Sequence, residues 1–439
     1  MEAQIAHTGA AVAWRFGDVS GSEEASREAV RIVTEMRDEH REELARAGHA
    51  TVWRPAWEAP AARFLAAGDL AKAWSWSEAM RGQEQRAAEG QAEAVPSLAE
   101  VQSSLAVDEA LVAYVFPTER LWSAWAWVVR ADRVDTVPID AVGLAQRVDV
   151  LLGMGRPPPE AVGALRSQVW TPLEPLLEGI ARVRVVPDGP LHRFPVAALL
   201  TDVDDPVPSR TATSTPVQTS DAQVEGVRSL VAPTGTELPA SRGEGEAWVA
   251  AFGGALFADD AAEPEALVGP EGVLHVASHA QVERWVGLPR LQLAGGWVDT
   301  EQVAALPLDG KVVVWAVCGG SDGPVYDAEG AFSLARAARL GGARAVVASA
   351  VPVPDGPAAE AFVALAEVWA GGARLDEAVA QVRREHPEGA WALEVVGDGS
   401  VHAVAAPRRR LRVGRLGFAL LGLLGLALGL AVWQRAPSR

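Results

Sequence analysis

The sequence predicts an α/β protein: a three-layer sandwich built on a mainly parallel sheet. Short runs of apolar and β-branched residues, such as 273–277 and 312–317, alternate with segments whose apolar residues recur every three or four positions. The first pattern is typical of strands buried on both faces of a parallel sheet, and the second of the helices that cover it. At 439 residues, 49% of them apolar, the chain is long enough for two or three structural units.

Residues 1–92 are predicted to form a helical module. Ser22 is expected to cap a helix that continues to about Ala47, because acidic residues follow it and an apolar stripe runs on from there. A second pair of helices is expected between residues 55 and 91, with Gly68-Asp69 as the turn. This pair resembles one tetratricopeptide-type hairpin, and we expect the module to be a cap or a docking site for a regulatory protein.

From Leu111 the pattern changes to strands alternating with helices, which we assign to one domain over residues 93–407. Strands are predicted at LVAYVFP (111–117), LWSAWAWVVRA (121–131), 183–187, 227–231, 273–277, 312–317 and 345–351. Helices are predicted at 142–152, 158–180, 243–252, 300–306, 329–340, 357–370 and 375–384. The segment 201–226, rich in Ser, Thr, Asp and Pro, and the segment PRLQLAGG (289–296) are predicted to be loops.

Two of the predicted strands lead into side chains that can carry chemistry. The strand 312–317 runs into Cys318, the only cysteine of the sequence, and the strand 273–277 is followed by Ser278 and His279. Parallel strands deliver their carboxyl ends to one sheet edge, where α/β proteins bind ligands. One cysteine with a histidine elsewhere is the pattern of a thiol nucleophile and its base, and the alternative is a buried structural cysteine. His275 is interpreted as a packed histidine behind the site.

Four ordered blocks of the sequence resemble the CHAT domain family. They are VPDGPLHRFPVAAL (186–199), LHVASHA (274–280), VVVWAVCGGS (312–321) and EGAFSLARAARLGGARAVVASAVPVPD (329–355). The segment 97–116 resembles the beginning of that domain, so that the resemblance covers Ala94 to Pro407. It implies a caspase-like peptidase fold of the kind often found with tetratricopeptide repeats. The sequence departs from the family pattern at Ala280, where glycine is usual, and at Val317, where alanine is usual.

The resemblance implies a cysteine endopeptidase that cleaves a protein substrate with Cys318 and His279 as catalytic residues. The backbone N–H groups of Ala280 and Cys318 would hold the oxyanion. Four acidic residues near the cysteine are candidates for favouring a basic side chain before the cleaved bond, although acidic loops are ordinary in so acidic a chain. They are Asp322, Asp327, Glu329 and Asp355. The alternative is a catalytically silent caspase-like scaffold that binds partners at the membrane.

Charge and composition argue against several other functional classes. The formal net charge is −18, and residues 407–439 contain seven arginines and no acidic residue, so the rest of the chain is more acidic still. Such a surface repels nucleic acid, and we expect no nucleic-acid partner. A single cysteine excludes an intramolecular disulfide. Because the sequence has no cysteine cluster and no HExxH motif, we expect neither a metal nor another cofactor.

The C-terminal region predicts a membrane anchor. A basic juxtamembrane segment, 408–415, precedes eighteen uncharged residues, LGFALLGLLGLALGLAVW (416–433), and a short tail, 434–439. Such a run is long enough to cross a hydrocarbon core of about 30 Å as a transmembrane helix, whereas a buried core helix is the alternative. Five arginines before the span and two after it predict a single-pass protein with its catalytic domain in the cytoplasm.

Overall fold

The structure, a computed structural model, describes residues 1–40, 42–83, 95–119, 121–200, 202, 205–211, 222–231, 238–282, 287–326 and 329–406. Its helices are α1 (Glu2–Arg15), α2 (Val19–Asp38), α3 (Glu43–Trp53), α4 (Pro55–Ala66), α5 (Leu70–Met80), α6 (Leu98–Ser104), α7 (Leu144–Gly153), α8 (Pro159–Val169), α9 (Ser241–Phe252), α10 (Thr300–Ala304), α11 (Leu334–Leu340), α12 (Asp355–Ala370), α13 (Leu375–Glu385) and α14 (Pro387–Ala390). Short 3₁₀ helices span Thr171–Leu176, Gly189–His192, Val196–Leu199, Asp259–Ala261 and Pro264–Leu267. Its strands are β1 (Glu109–Val115), β2 (Ala124–Arg130), β3 (Val134–Ile139), β4 (Arg182–Val186), β5 (Val207–Arg210), β6 (Gln223–Glu225), β7 (Val227–Val231), β8 (Gly254–Ala258), β9 (Val273–Ala277), β10 (Ala280–Val282), β11 (Pro289–Leu293), β12 (Gly296–Asp299), β13 (Val312–Ala316), β14 (Val325–Tyr326), β15 (Gly330–Ala331), β16 (Ala345–Ser349), β17 (Leu393–Gly397) and β18 (His402–Val404).

One large sheet organises this part of the chain. Its strand order is β3-β2-β1-β4-β5-β17-β16-β13-β9-β7-β8, eleven strands among the described residues. Strands β16, β13, β9, β7 and β8 are mutually parallel, and β1, β4, β5 and β17 form a second parallel group. The two groups meet in antiparallel fashion at β16 and β17, and β2 and β3 extend the second group as an antiparallel meander. The prediction of a mainly parallel sheet is therefore confirmed.

Helices cover both faces of the sheet, which gives the predicted three layers. Along β13, Val312 and Val314 pack into one apolar cluster with helices α9, α12 and α13, whereas Val313 and Trp315 pack into another with α10 and α11. The second strand group is likewise covered by α7 and α8 on one face and by α4, α5 and α6 on the other. Burial on both faces explains why these strands read as continuous apolar runs.

The N-terminal helices differ in part from the prediction. Helix α2 begins at Val19, where the Asp18 side chain accepts a hydrogen bond from the Gly21 N–H at 2.8 Å. Ser22 is therefore no cap; it is buried inside the helix, and its hydroxyl donates to the Ala10 carbonyl of α1 at 2.8 Å. The predicted long helix is interrupted after α2 and resumes as α3, and α1 was not predicted. The hydroxyl group of Ser22 thus forms its hydrogen bond with another helix, although the local sequence resembles that of a helix cap.

The second helical pair follows the prediction more closely. Helices α4 and α5 are separated by Gly68, whose φ is +80°, and by Asp69, whose side chain accepts from the Lys72 N–H at 3.1 Å. A positive φ suits glycine, and aspartate is a preferred cap. The boundary at residues 92 and 93 between a helical module and an α/β domain stays a prediction.

Two segments predicted to be loops contain strands. Strand β5 lies within the predicted loop 201–226 and inserts into the sheet between β4 and β17. Strand β11 lies within PRLQLAGG and pairs with β10 and β12 in a small antiparallel sheet. Strand β17, after the last predicted helix, was also missed. These short strands are recruited by the backbone hydrogen bonds of their neighbours, which local composition does not encode.

The predicted membrane anchor lies outside the residues that the structure describes. No helix in the described ranges is both long and apolar enough to cross a membrane. Residues 408–415, 416–433 and 434–439 all lie outside the described residues, so the transmembrane helix stays a prediction.

Candidate active site

The strands that carry His279 and Cys318 are direct neighbours in the sheet. Strands β9 and β13 pair in parallel, with Val312 opposite Val273 and Ala316 opposite Ala277. His279 and Cys318 each lie two residues beyond the last paired position of their strand. Because neighbouring strands are about 4.8 Å apart, this register brings the two residues to equivalent positions at the carboxyl edge.

The Cys318 turn has the shape that its glycines permit. Gly319 has a φ of +63°, a conformation that favours glycine. A Cβ at Gly320 would lie 3.1 Å from the Trp315 Cβ and 3.3 Å from the Ala348 Cβ, so the turn packs tightly against two strands. Cys318 itself is half-buried, and its Sγ lies 3.9 Å from the Val353 carbonyl oxygen. The thiol is thus held at the sheet edge and keeps access to solvent.

The His279 segment is fixed by the strand beside it. The Ser278 hydroxyl donates to the Gln292 carbonyl at 2.5 Å, and the Gln292 N–H donates to the His279 carbonyl at 2.9 Å. Ala280, which follows, is the first residue of β10, and it is not among the positive-φ residues. The alanine at this position therefore carries no steric penalty relative to the glycine of the family pattern.

His279 and Cys318 line one small pocket together with two acidic residues. Glu244 on α9 and Asp355, the first residue of α12, contribute to its wall, and its volume is about 70 Å³. The Asp355 side chain also accepts from the Ala240 N–H at 3.3 Å, which joins α12 to the start of α9. The sequence did not single out Glu244, because a glutamate in the first turn of a helix is ordinary.

A buried polar chain lies behind this pocket. His275 is fully buried, and its Nε2 lies 2.7 Å from Glu244 Oε1 while its Nδ1 lies 2.9 Å from Ser229 Oγ. Its ring stacks on Trp248, with centroids 4.8 Å apart. The interpretation of His275 as a packed histidine behind the site agrees with these contacts.

Burial shifts the pKa values of two side chains in this group of buried polar residues. It lowers the pKa of His275 to about 3, and it raises the pKa of Glu244 well above its ordinary value, with the charge of Asp355 adding to the increase. Burial therefore disfavours the charged form of both groups. When both groups are neutral, the Glu244 O–H can donate to His275 Nε2 and the His275 Nδ1–H to Ser229 Oγ. Glu244 thus reaches the pocket, beside Asp355, as a carboxyl group whose pKa is raised by burial.

The remaining acidic candidates lie apart from this pocket. The Asp322 side chain accepts from the Gly323 N–H at 2.8 Å, and burial raises its pKa. Glu329 is buried, forms an ion pair with Arg336 at 3.5 Å, and lines a different pocket. Asp327 lies outside the described residues. Of the described candidates, Asp355 is the one that shares a pocket with Cys318.

Within the described residues, no group of three or more His, Cys, Asp or Glu side chains is arranged to hold a metal ion.

Comparison with known proteins identifies the family and the fold. A family model described as the CHAT domain matches residues 159–390. No curated protein matches the sequence significantly. The fold of this chain is similar to two crystal structures of the Saccharomyces cerevisiae separase–securin complex. The TM-scores are 0.55 and 0.56 at 9% and 8% sequence identity, and each match covers 88% of this chain. This chain spans 38% and 37% of the chains that it matches there.

A weaker similarity is found to the complex of the pro- and mature domains of Porphyromonas gingivalis RgpB. Its TM-score is 0.37 at 12% identity, over 59% of this chain and 76% of that chain. At identities as low as these, similarity of structure concerns the fold, and activity must be argued from the site itself.

Proposed function

Because the chain belongs to the CHAT domain family, we propose that it is a membrane-tethered caspase-like cysteine endopeptidase that cleaves a protein partner. In this proposal Cys318 is the nucleophile and His279 is its base. A partner that docks on the helical module, or another trigger, regulates the activity.

The observation that carries the proposal is the register of β9 and β13. Two adjacent parallel strands end at the same level, and each is followed at the second position by a group that thiol catalysis needs. Both groups line one pocket. The order His, then Cys, along adjacent strands agrees with the resemblance stated from the sequence. A protein that merely binds partners has no need for both groups in this arrangement.

The chemistry proceeds in two stages. His279 accepts the proton of the Cys318 thiol, and the thiolate attacks the carbonyl carbon of the scissile peptide bond. The resulting oxyanion is held by the backbone N–H groups of Ala280 and Cys318. The C–N bond breaks as the imidazolium of His279 protonates the leaving amine. Water, deprotonated by His279, then hydrolyses the thioester and restores the free thiol.

The pocket wall favours a basic side chain before the cleaved bond. Asp355 supplies a negative charge, and Glu244 supplies a second carboxyl group that can ionise once a cation compensates its burial. Peptides with arginine or lysine before the scissile bond should therefore be cut faster than peptides with glutamine at that position. Asp355→Asn should reduce this preference more than it reduces cleavage of the glutamine peptide, and an equal loss for both would contradict an electrostatic role.

A thiol-labelling experiment tests the dyad without knowledge of the substrate. A peptidyl electrophile should label Cys318 in the full-length chain, and labelling should be lost in Cys318→Ala. His279→Ala should slow labelling at least about tenfold, because the imidazole raises the thiolate fraction. His402→Ala, a half-buried histidine of β18 that is not among the pocket residues, is the matched control and should label at the wild-type rate. Equal rates in wild type and His279→Ala would refute the dyad.

A cleavage experiment separates the peptidase from a silent scaffold. Co-expressed candidate partners should be cut by the wild type and remain intact with Cys318→Ala. If wild type and Cys318→Ala bind a partner equally and neither cleaves it under conditions in which Cys318 reacts with the electrophile, the scaffold function is favoured. The membrane span at 416–433 is part of the proposal on the strength of its sequence, and tethering would raise the effective concentration of membrane-bound substrates.

A further inference from the structure

A second pocket lies away from Cys318 and is lined by the beginning of α8, by residues 198, 199 and 202, and by the segment from Arg383 to Trp391, together with Arg156. We call it the arginine pocket. Its volume is about 490 Å³, within the range of small-molecule sites. It shares no lining residue with the pocket of Cys318 and His279.

Arg383 is the unusual residue of this pocket. It is 6% exposed, and one of its terminal nitrogens donates to the carbonyl oxygens of Ala197 and Leu200. Among the described residues nothing accepts a hydrogen bond from its buried Nε. Burial, together with the neighbouring charge of Arg384, lowers the pKa of Arg383 to about 10, although the charges of Glu394 and Asp205 act in the opposite direction. A buried cation without a carboxylate hydrogen-bonded to it is expensive for the fold, and a bound anion would offset that cost.

One further feature favours an anion at the same place, and it is not the beginning of helix α8. Pro159 has no N–H, and the N–H groups of Ala161 and Val162 already donate to the Pro158 carbonyl. Arg384 is exposed beside Arg383, and an arginine pair matches the geometry of a phosphate. Against these stands Asp202, whose exposed side chain lies 3.8 Å from Arg166 at the rim.

The rest of the wall suits a flat ring. Trp391 is half-buried, and Pro157, Pro159 and Leu199 give the pocket an apolar side. Gly163 of α8 also lines the pocket, and a Cβ built there would meet nothing within 4 Å. An aromatic face and open space beside a cationic end are the features expected for a ligand with a planar ring and an anionic group.

We propose that the arginine pocket binds a nucleoside monophosphate, with the phosphate held by Arg383 and Arg384 and the base packed against Trp391. Arg383 already holds the carbonyl groups of Ala197 and Leu200, so the ligand would tie α13 more firmly to the segment after the VPDGPLHRFP block. The site is independent of the dyad, and Cys318→Ala should bind the ligand as the wild type does.

Isothermal titration of the full-length chain in mild detergent and phosphate-free buffer tests the proposal. The probes are AMP, GMP, CMP and UMP, with adenosine and inorganic phosphate as the two halves of the ligand. At least one nucleotide should bind about tenfold or more tightly than either half, because ring and phosphate then act together. Arg384→Gln should weaken its binding about tenfold through the lost charge-assisted contact.

A second variant, which fills the pocket with a side chain, controls for loss of binding through misfolding. Gly163→Leu adds a side chain where space is open and replaces glycine inside a helix, so it should fold at least as stably while abolishing binding. Gly9→Leu, also a helical glycine with open space but on α1, should bind normally. The proposal is overturned if no nucleotide binds at about 1 mM, if phosphate alone binds as tightly, or if Arg384→Gln and Gly163→Leu both bind like the wild type.

Discussion

Replacing Arg54 with methionine should destabilise the protein strongly, because this arginine is the centre of a buried ionic network. Arg54 is fully buried between α3 and α4 and forms ion pairs with Glu58 and with Asp188, the latter at 2.5 Å. It also donates to the Phe116 carbonyl at 3.3 Å. The network joins the N-terminal helices to the segments that follow β1 and β4.

The expected loss follows from what the substitution leaves behind. Removing one partner of a buried ion pair costs about 3–5 kcal/mol, because the other charge stays buried without compensation. Here the carboxylates keep other donors: Thr118 donates to Glu58 through its N–H at 2.9 Å, and Phe116 donates to Asp188 at 2.6 Å. We therefore expect the free energy of unfolding to fall by an amount near the lower end of this range, about 3 kcal/mol. At about 2.1 cal/mol/K per residue over residues 1–405, this corresponds to a Tm lowered by about 4 °C.

The loss should also depend on pH. Burial tends to raise the pKa of Asp188, but the charges of Arg54 and Arg81 outweigh it and lower the pKa below its usual value. In the wild type, Asp188 therefore contributes stability that is present above its unfolded pKa and is lost as pH falls through the folded pKa. Without Arg54 the pKa values of Asp188 and Glu58 should rise, and protonation then relieves the buried charge. The difference in Tm should be larger at about pH 7.5 than at about pH 5.

The assay is thermal unfolding of the full-length chain, followed by circular dichroism. Arg31→Met is the matched control, because Arg31 also pairs with two carboxylates, Glu28 and Glu35, but lies exposed on α2. It should leave the Tm unchanged within error. Adding Glu58→Gln to Arg54→Met should recover part of the loss. If Arg54→Met unfolds within about 1 °C of the wild type, or if both arginine variants lose the same amount, the network has no stabilising role.

Three further predictions concern other parts of the molecule. Glu244→Gln should change the free energy of unfolding by less than about 1 kcal/mol, because an amide N–H can replace the donated hydrogen bond to His275, whereas Glu244→Leu should cost about 1–3 kcal/mol in urea unfolding. Trp127→Ala, at a fully buried position, should cost about 3–5 kcal/mol, and Trp297→Ala, at a position 36% exposed, less than about 1 kcal/mol. Deleting residues 416–439 should release the protein from membranes that retain the full chain in high salt; extraction of the full chain by salt would contradict the predicted span.

The local sequence was sufficient to predict an element where the residues of that element alone indicate its structure. The strand 273–277 was predicted with the bounds it has, and 312–317 with one residue too many, because continuous β-branched runs are buried on both faces. The turn at Gly68 and Asp69 follows from a positive φ and a capping side chain. The CHAT domain resemblance, stated from four blocks, is confirmed by the family model over residues 159–390. The membrane span stays a prediction from sequence alone.

Only the tertiary structure decided the contacts between residues that lie far apart in the sequence. Only the sheet order shows that β9 and β13 are neighbours in equal register, which brings His279 beside Cys318. Helix α9 brings Glu244 to the same pocket, and burial there raises the pKa of its carboxyl group. Strand β5 forms because β4 and β17 offer hydrogen bonds on both sides. Such pairings depend on which strands become neighbours in the folded protein. The local sequence of one strand does not specify which other strand lies beside it.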